Sequence, residues 1–334
     1  MSSWANRNIP RRRDLSQIPE GLRPQIIPRF QQPQVILSES FQTKPVNEVV
    51  YPDESSFEPE KEYRSYPVKK IEYQPAPSAV ELTHRNLSYV FVILRHLRTA
   101  RDNDLWISSY QSIRRFYTNP IIIIDDNSEV NTVNGKLVNT EVIYSEWNGA
   151  GEILPYYYFL KSKWADRMVF LHDSMFLHRP FRPSELEGPV RFHWHFDSNE
   201  IRNDRKIATY LSILPQSELL MASMADPEFT WKGCFGGASI IDLTVVEQLE
   251  EKYELFSKLV MSIRTRKDRE TFERVLGIMI RHEGHIVEET TSNFGNISKY
   301  PGAFESQIIT LEGAAHVLAQ KGYDTAIIKV WRGR

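Results

Sequence analysis

The chain has almost no cysteine and no long apolar segment. Cys234 is the single cysteine among 334 residues, so no disulfide can form within the chain, and a reducing compartment is expected. No stretch approaches the roughly 20 consecutive apolar residues that cross a bilayer. The first residues also lack the apolar core of a signal peptide. These absences predict a cytoplasmic protein without a membrane span.

The chain also lacks a charge surplus of either sign. Its 41 Lys and Arg residues nearly balance 43 Asp and Glu residues, giving a formal net charge of −2. Proteins that hold nucleic acid through phosphate contacts normally carry a strong basic excess. The charge balance therefore argues against a nucleic-acid partner.

Glycine is scarce and proline abundant in the first part of the chain. Eleven of the 19 prolines lie between Pro10 and Pro77, whereas Gly21 is the only glycine before residue 85. Such a composition interrupts both helices and strands. It predicts an extended, disordered arm over residues 1–84, which could also lie along the folded domain. A basic triplet, Arg11 to Arg13, is either a docking patch or solvated charge.

What the chain does have is a run of four isoleucines, Ile121 to Ile124, followed by Asp125 and Asp126. Four consecutive β-branched residues cannot present one apolar and one wet face. They therefore predict a strand that is covered on both sides, as parallel strands in α/β domains are. The two acids then lie at the carboxyl end of that strand, where open α/β sheets bind their ligands.

Similar segments precede and follow this one. An apolar strand over residues 89–94 ends at Arg95, and Met168 to Leu171 end at His172 and Asp173. A further strand at 140–144 and helices from about 103 and over 152–161 complete the pattern. This order predicts an α/β fold, a Rossmann-like, mostly parallel sheet flanked by helices, formed by a single domain over residues 85–334.

The second half contains aromatic and glycine-rich motifs. Residues 192–196 alternate aromatic side chains with His193 and His195, which predicts one strand with both imidazoles on the same face. A glycine-rich turn over residues 231–238 leads into a strand at 239–241. Helices are expected over about 243–260 and 268–281, with Thr265 and Asp268 as a capping box at the start of the second.

Taken together, the Ile-Ile-Ile-Ile-Asp-Asp-Asn-Ser, Phe-Leu-His-Asp-Ser and Trp-Lys-Gly-Cys-Phe-Gly-Gly segments resemble nucleotide-sugar-dependent glycosyltransferases of the GT-A fold. More narrowly, they are similar to glycosyltransferase-like proteins of large DNA viruses, which would place the protein in the cytoplasm of a host cell. The resemblance covers roughly residues 86–300. It implies a GT-A-like domain with a donor half at 85–180 and an acceptor half at 181–334.

The resemblance also implies roles for individual residues. Arg95, Asp125 and Asp126 would hold the nucleoside of a nucleoside-diphosphate sugar. His172 and Asp173 would lie at the sugar diphosphate, where the family has a D-x-D motif for a divalent ion. Trp231, Gly236 and Gly237 would lie near the acceptor, which could be a glycan, a protein or a small molecule. This chain departs from the motif because Met175 stands in place of the second aspartate.

The identity of the cation is open at this point. Mg²⁺ or Mn²⁺ bound by Asp173 together with His172, His193 or His195 would offset the charge of the leaving diphosphate, with His195 the residue assigned to the metal site. Alternatively, Lys232, Arg266 or Arg269 could neutralise the diphosphate without a metal. A zinc site built from histidines is a weaker alternative, because the histidines lack paired helical spacing.

An inverting transferase needs a carboxylate that takes the proton of the acceptor hydroxyl. Glu270 and Glu273 are the candidates for this base, whereas Asp268 is assigned to the helix cap. Either glutamate could instead be a surface acid paired with Arg269 or Arg274. A retaining mechanism would not need such a base.

Two other functions are compatible with the sequence. The broken D-x-D motif and the proline-rich arm would also suit a catalytically silent nucleotide-sugar-binding or scaffold protein. A nucleotidyltransferase ranks third, because residues 95–99 contain no glycine for a phosphate-binding loop. The transferase hypothesis requires that Asp125, Asp126 and Asp173 converge on one donor cavity.

Overall fold

A computed structural model describes residues 74–98, 100–129, 137–198, 205–285, 287 and 324–329. Every described residue belongs to one compact unit. Most of the predicted arm, residues 1–73, thus lies outside the described ranges.

The strands are, in chain order, β1 (Tyr89–Arg95), β2 (Ile121–Asp125), β3 (Thr140–Tyr144), β4 (Arg167–His172), β5 (Met175–Leu177), β6 (Val190–Phe192), β7 (His195–Asp197), β8 (Lys232–Cys234), β9 (Ser239–Asp242) and β10 (Ile327–Lys329). The helices are α1 (Ala100–Arg114), α2 (Leu154–Ser162), α3 (Arg205–Ser212), α4 (Ser217–Ala225), α5 (Leu243–Tyr253), α6 (Leu255–Leu259) and α7 (Arg266–His282). Short 3₁₀ turns cover Gly151–Ile153, Pro183–Leu186 and Phe235–Gly237.

The central sheet has six strands in the order β3-β2-β1-β4-β9-β6. Strands β1 to β4 are mutually parallel where they pair, while β9 runs antiparallel to both of its neighbours. Two small antiparallel pairs, β5 with β10 and β7 with β8, lie beside it. The predicted fold class, a mostly parallel sheet flanked by helices, is confirmed.

The isoleucine run shows why the sheet is covered on both sides. Ile121 and Ile123 belong to a core layer that contains the apolar side chains of α1. Ile122 and Ile124 belong to the opposite layer, which contains those of α2, α5 and α7. Successive side chains of a strand point to opposite faces, so an unbroken apolar run supplies both layers.

Residues 74–84, predicted as the end of the arm, pack on the domain, which was the alternative left open for the arm. Val80 forms a bridge with Tyr117. Leu82 is buried, and its backbone exchanges two hydrogen bonds with the Asn119 side chain, at 2.6 and 3.0 Å. The described part of the folded domain therefore begins before residue 85.

Two predicted elements are interrupted in the structure. The helix expected over 243–260 is broken at Glu254, which has a left-handed φ of 50°. The single strand expected over residues 192–196 is also wrong, because β6 ends at Phe192 in the large sheet and β7 begins at His195 in the small one. Both His193 and His195 are buried.

None of the helices that the structure describes has the length and apolar character of a membrane span.

Candidate functional site

The carboxyl ends of β2, β1 and β4 meet at one edge of the sheet. In the strand register, Arg95 lies opposite Asp125 and Leu94 lies opposite His172. The next residues stay paired, because the Asp126 amide donates to the Arg95 carbonyl at 2.8 Å and the Asp173 amide donates to the Leu94 carbonyl at 2.9 Å. The fold thus brings together segments that are almost 50 residues apart in sequence.

His96 connects the two aspartates across this edge. Its Nδ1 lies 2.6 Å from the Asp126 carbonyl oxygen, and its backbone amide donates to the Asp173 carboxylate at 3.3 Å. Asp126 and Asp173 are therefore placed on either side of the β1 terminus. Sequence reasoning did not assign a role to His96, although its position directly after a strand end was a usable signal.

Arg95 and Asp125 form an ion pair inside the protein. Arg95 Nε and an Arg95 terminal nitrogen both lie 2.6 Å from the Asp125 carboxylate, and the side chains are only 1% and 3% exposed. The guanidinium also stacks over Trp106, at 4.9 Å, and Ser128 donates to the carboxylate through its amide and hydroxyl. These residues fix the turn after β2, and their side chains offer almost no surface to a donor.

The Asp126 carboxylate fixes the segment that precedes α2. Its two oxygens accept hydrogen bonds from the backbone amides of Gly149 and Gly151, at 2.6 and 2.9 Å. Burial raises the pKa of Asp126, while these amides and the nearby His96 and Arg269 oppose the rise. Asp126 therefore holds the loop that delivers Glu152 to the edge of the sheet.

The glycine-rich turn packs onto the same edge. Gly236 and Gly237 have φ values of 65° and 64°, which favour glycine. His172 Nε2 lies 2.6 Å from the Gly236 carbonyl oxygen. The Tyr156 hydroxyl donates to the Gly237 carbonyl oxygen. The turn predicted near the acceptor is thus joined to the strand end that carries Asp173.

Glu273 enters this cluster from α7. Its carboxylate accepts a hydrogen bond from the Gly236 amide at 2.9 Å, and the residue is only 8% exposed. Burial raises the pKa of Glu273 to about 8, and the nearby charge of Glu152 adds to the rise. A buried carboxyl with a pKa near neutrality is suited to proton transfer.

The two candidate bases lie in different environments. Glu270 has a side chain that is 35% exposed and forms ion pairs with Arg266 at 3.1 Å and Lys267 at 3.8 Å. Glu270 is therefore a surface acid in ion pairs, which was the alternative considered for both glutamates. The geometry favours Glu273 as the base. Asp268 forms the predicted capping box with Thr265.

Glu152 and Arg269 are site residues that sequence reasoning did not bring together. Arg269 Nε lies 3.2 Å from the Glu152 carboxylate, and its guanidinium donates to the Gly149 carbonyl at 3.2 Å. Burial raises the pKa of Glu152, and the charge of Arg269 opposes the rise. Their separation of more than 100 residues left no local signal for the pairing.

A cavity of about 420 Å³ lies beside the glycine-rich turn, between β8 and the second half of α7. It is lined by Asp197, Ser198, Thr230, Trp231, Lys232, Gly277, Ile280, Arg281, His285 and Val287. Lys232, a candidate for neutralising the diphosphate, forms an ion pair here with Asp197. Trp231 and Lys232 line this cavity, whereas Asp125, Asp126 and Asp173, which were expected to converge on one donor cavity, do not line it.

The residues near Asp173 do not suit a divalent ion. Such an ion needs several oxygen or imidazole ligands, but the Met175 side chain is buried and its Sδ accepts a hydrogen bond from the His172 amide at 3.3 Å. His195 lies in the small β7–β8 sheet. Within the described ranges, no three His, Cys, Asp or Glu side chains are grouped closely enough to hold a metal ion. The metal assignment to Asp173 and His195 gains no support.

Known proteins resemble this chain only weakly. No family model matches the chain, and no curated protein matches it. Among solved structures, the chain is similar to residues 1–349 of TarS from S. aureus, a glycosyltransferase, with 12% identity and a TM-score of 0.31. The match covers 57% of this chain and 55% of that chain. An identity of 12% and a TM-score of 0.31 do not establish the activity of this chain.

Proposed function

We propose that the protein transfers a sugar from a nucleoside-diphosphate sugar to an acceptor hydroxyl group. The observation that carries this proposal is the position of Glu273, a buried acid with a raised pKa. Its carboxylate is hydrogen-bonded to the glycine-rich turn at the carboxyl edge of the sheet. The same turn is hydrogen-bonded to His172, which precedes Asp173. Ligands of open α/β sheets bind at this edge.

In the proposed reaction, Glu273 acts as the base. The acceptor oxygen forms a bond to the anomeric carbon, and the bond from that carbon to the diphosphate oxygen breaks with its electron pair leaving on the diphosphate. The base is the ionised form of Glu273, which takes the acceptor proton; because its pKa is about 8, turnover should rise as the pH approaches 8. This assignment corresponds to inversion at the anomeric carbon.

The donor would bind at the ends of β1 and β4. His96 and His172 are partly exposed there, and the Asp173 carboxylate, next to His172 in sequence, accepts a hydrogen bond from the His96 amide. The resemblance assigns the nucleoside to Arg95, Asp125 and Asp126, but the described contacts use these three side chains within the protein. Their contribution in our proposal is to position the loops around the donor.

The test is release of nucleoside diphosphate from a panel of nucleoside-diphosphate sugars, with Glu273→Gln compared with Glu270→Gln. An amide at position 273 can still accept the Gly236 hydrogen bond but cannot take a proton, so turnover should fall about 100-fold or more. Glu270→Gln should keep turnover within about twofold, because the residue lies on the helix surface. Equal turnover in the two variants would remove Glu273 as the base, and absence of both donor binding and turnover would remove the proposed activity.

A catalytically silent binding protein is the second candidate. The observation in its favour is that Asp125 and Asp126, which resemble donor-binding residues in sequence, are engaged by Arg95 and by the Gly149 and Gly151 amides. Donor binding without turnover across a broad set of acceptors would support this candidate.

A further inference from the structure

Lys329, close to the end of the described chain, lies opposite the position that breaks the D-x-D motif. Strand β10 pairs antiparallel with β5, and Lys329 is the register partner of Met175. Side chains of directly opposed residues in an antiparallel pair lie on the same face, with Cβ atoms about 5 Å apart. A cationic side chain is thus tethered beside the residue that replaces the second aspartate.

The contacts of Lys329 direct its ammonium group towards the candidate site. Lys329 Nζ lies 5.7 Å from the centroid of the Trp194 ring. Trp194 is fully buried and contacts Phe235, with ring centroids 5.9 Å apart. Phe235 immediately precedes Gly236, whose amide binds Glu273. The ammonium thus packs on a ring that in turn contacts the residue directly before Gly236.

Glu152 gives a second indication that the Lys329 charge lies near the candidate site. Burial raises the pKa of Glu152, and the charges of both Arg269 and Lys329 oppose the rise. Glu152 itself lies against the turn, because a Cβ atom on Gly237 would be 3.1 Å from the Glu152 Cβ. Lys329 and Arg269 are accordingly two cations at one group of carboxylates, on strands and helices far apart in sequence.

We propose that Lys329 supplies the positive charge that stabilises the leaving diphosphate, and that sugar transfer in this protein needs no divalent ion. This inference rests on the proposed glycosyl transfer. The ammonium donates hydrogen bonds to the diphosphate oxygens as the bond between the sugar carbon and the diphosphate oxygen breaks. Such a charge acts where an ion bound to a second aspartate would otherwise act.

The experiment measures binding, so it does not require the acceptor. Affinities of the EDTA-treated full chain for UDP, GDP, uridine and guanosine are measured by calorimetry, for the wild type and for Lys329→Met. Because the variant loses charge-assisted hydrogen bonds to the phosphate oxygens, it should bind the diphosphates about tenfold more weakly or worse. Affinity for the nucleosides should stay unchanged, since they carry no phosphate.

Two further variants separate charge from folding. Lys329→Arg keeps the charge and should restore at least part of the diphosphate affinity. Lys258→Met removes an exposed lysine of α6 that pairs with Glu254, and it should bind like the wild type. Thermal melting of each variant identifies any that has lost its fold, in which case Lys329→Arg alone decides whether charge at this position matters.

The possible failures are distinguishable. If the wild type binds UDP or GDP only after Mn²⁺ or Mg²⁺ is added, or if Lys329→Met binds them as tightly as the wild type, the role of Lys329 is refuted and the proposed transfer stands. If the wild type binds neither diphosphate with or without metal, the proposed transfer falls and this inference falls with it.

Discussion

At the scale of single residues, the ionisation of Glu273 connects the site to stability. Its carboxyl has a pKa of about 8 in the folded protein because of burial and the Glu152 charge, against an ordinary value of 4.5. Between these two values the unfolded chain has lost the proton while the folded protein keeps it. Raising the pH in this interval therefore favours unfolding.

The prediction is that the melting temperature of the wild type falls between about pH 5 and about pH 8, and that it falls less in Glu273→Gln. Scanning calorimetry across this interval measures the difference. Glu270→Gln serves as the control and should follow the wild-type curve. Parallel curves for Glu273→Gln and the wild type would mean that the carboxyl ionises normally in the folded state.

Gly236 gives a second test at the same scale. It has a φ of 65°, and an added Cβ would lie 2.8 Å from His172 Nε2. Gly284 has a similar φ of 84° with nothing within 4 Å of the same position. Both positions carry the backbone penalty of about 1 kcal/mol for a side chain in the left-handed region, but only Gly236 adds a clash with the site.

Gly236→Ala should therefore lower the free energy of unfolding by about 1 to 3 kcal/mol more than Gly284→Ala does. Urea denaturation of both variants gives this difference directly. Equal losses would show that His172 moves aside freely, and its hydrogen bond to the Gly236 carbonyl would then not fix the turn.

At the scale of elements, α7 approaches β8 at a glycine. A Cβ on Gly277 would run into the Lys232 carbonyl oxygen, so the helix and the strand are in backbone contact there. In an ordinary helix interior, alanine is favoured over glycine by about 1 kcal/mol. Here Gly277→Ala should instead destabilise the protein by about 1 to 3 kcal/mol, because the backbones have to separate.

Equilibrium unfolding in urea checks the sign of this change. Lys267→Ala, an exposed change in the first turn of α7, is the comparison and should stay within about 0.5 kcal/mol of the wild type. Stabilisation by Gly277→Ala would show that the helix shifts away from β8 without cost.

Elements with strong local patterns were predictable from sequence. The isoleucine run fixed β2, and the Thr265–Asp268 capping box marked the start of α7. The break at Glu254 was not predictable, since the apolar spacing continues across it. Likewise, residues 192–196 alternate as one strand would, but the chain changes sheets between Phe192 and His195 because its pairing partners differ.

At the scale of the whole molecule, the candidate site was only partly predictable. The positions of the acids after β2 and β4 were predictable, because the carboxyl ends of parallel strands lie at one edge of the sheet. The hydrogen-bond partners of those acids were not predictable from the sequence. Whether Asp126 binds a ligand or the Gly149 and Gly151 amides depends on how the segment before α2 folds back. Lys329 is brought to the site by pairing with Met175, a residue more than 150 positions earlier in the sequence.

The shared sheet also predicts how the molecule unfolds. One layer of the core contains Ile113 of α1, and the other contains Ile278 of α7, with both side chains fully buried. Since β2 contributes alternate isoleucines to both layers, loss of either layer exposes the other face of the same strand. The described domain should therefore lose both layers in one transition.

Ile113→Val and Ile278→Val should each lower the free energy of unfolding by about 0.5 to 1.5 kcal/mol. Their effects should add in the double variant, since the two sites lie in opposite layers. Circular dichroism and tryptophan fluorescence in urea should give coincident transitions with an unchanged slope. Ile213→Val, at a position that is 43% exposed, should leave the midpoint in place. A variant that splits the transition would show that the layers unfold separately, because only independent layers would let one probe change before the other.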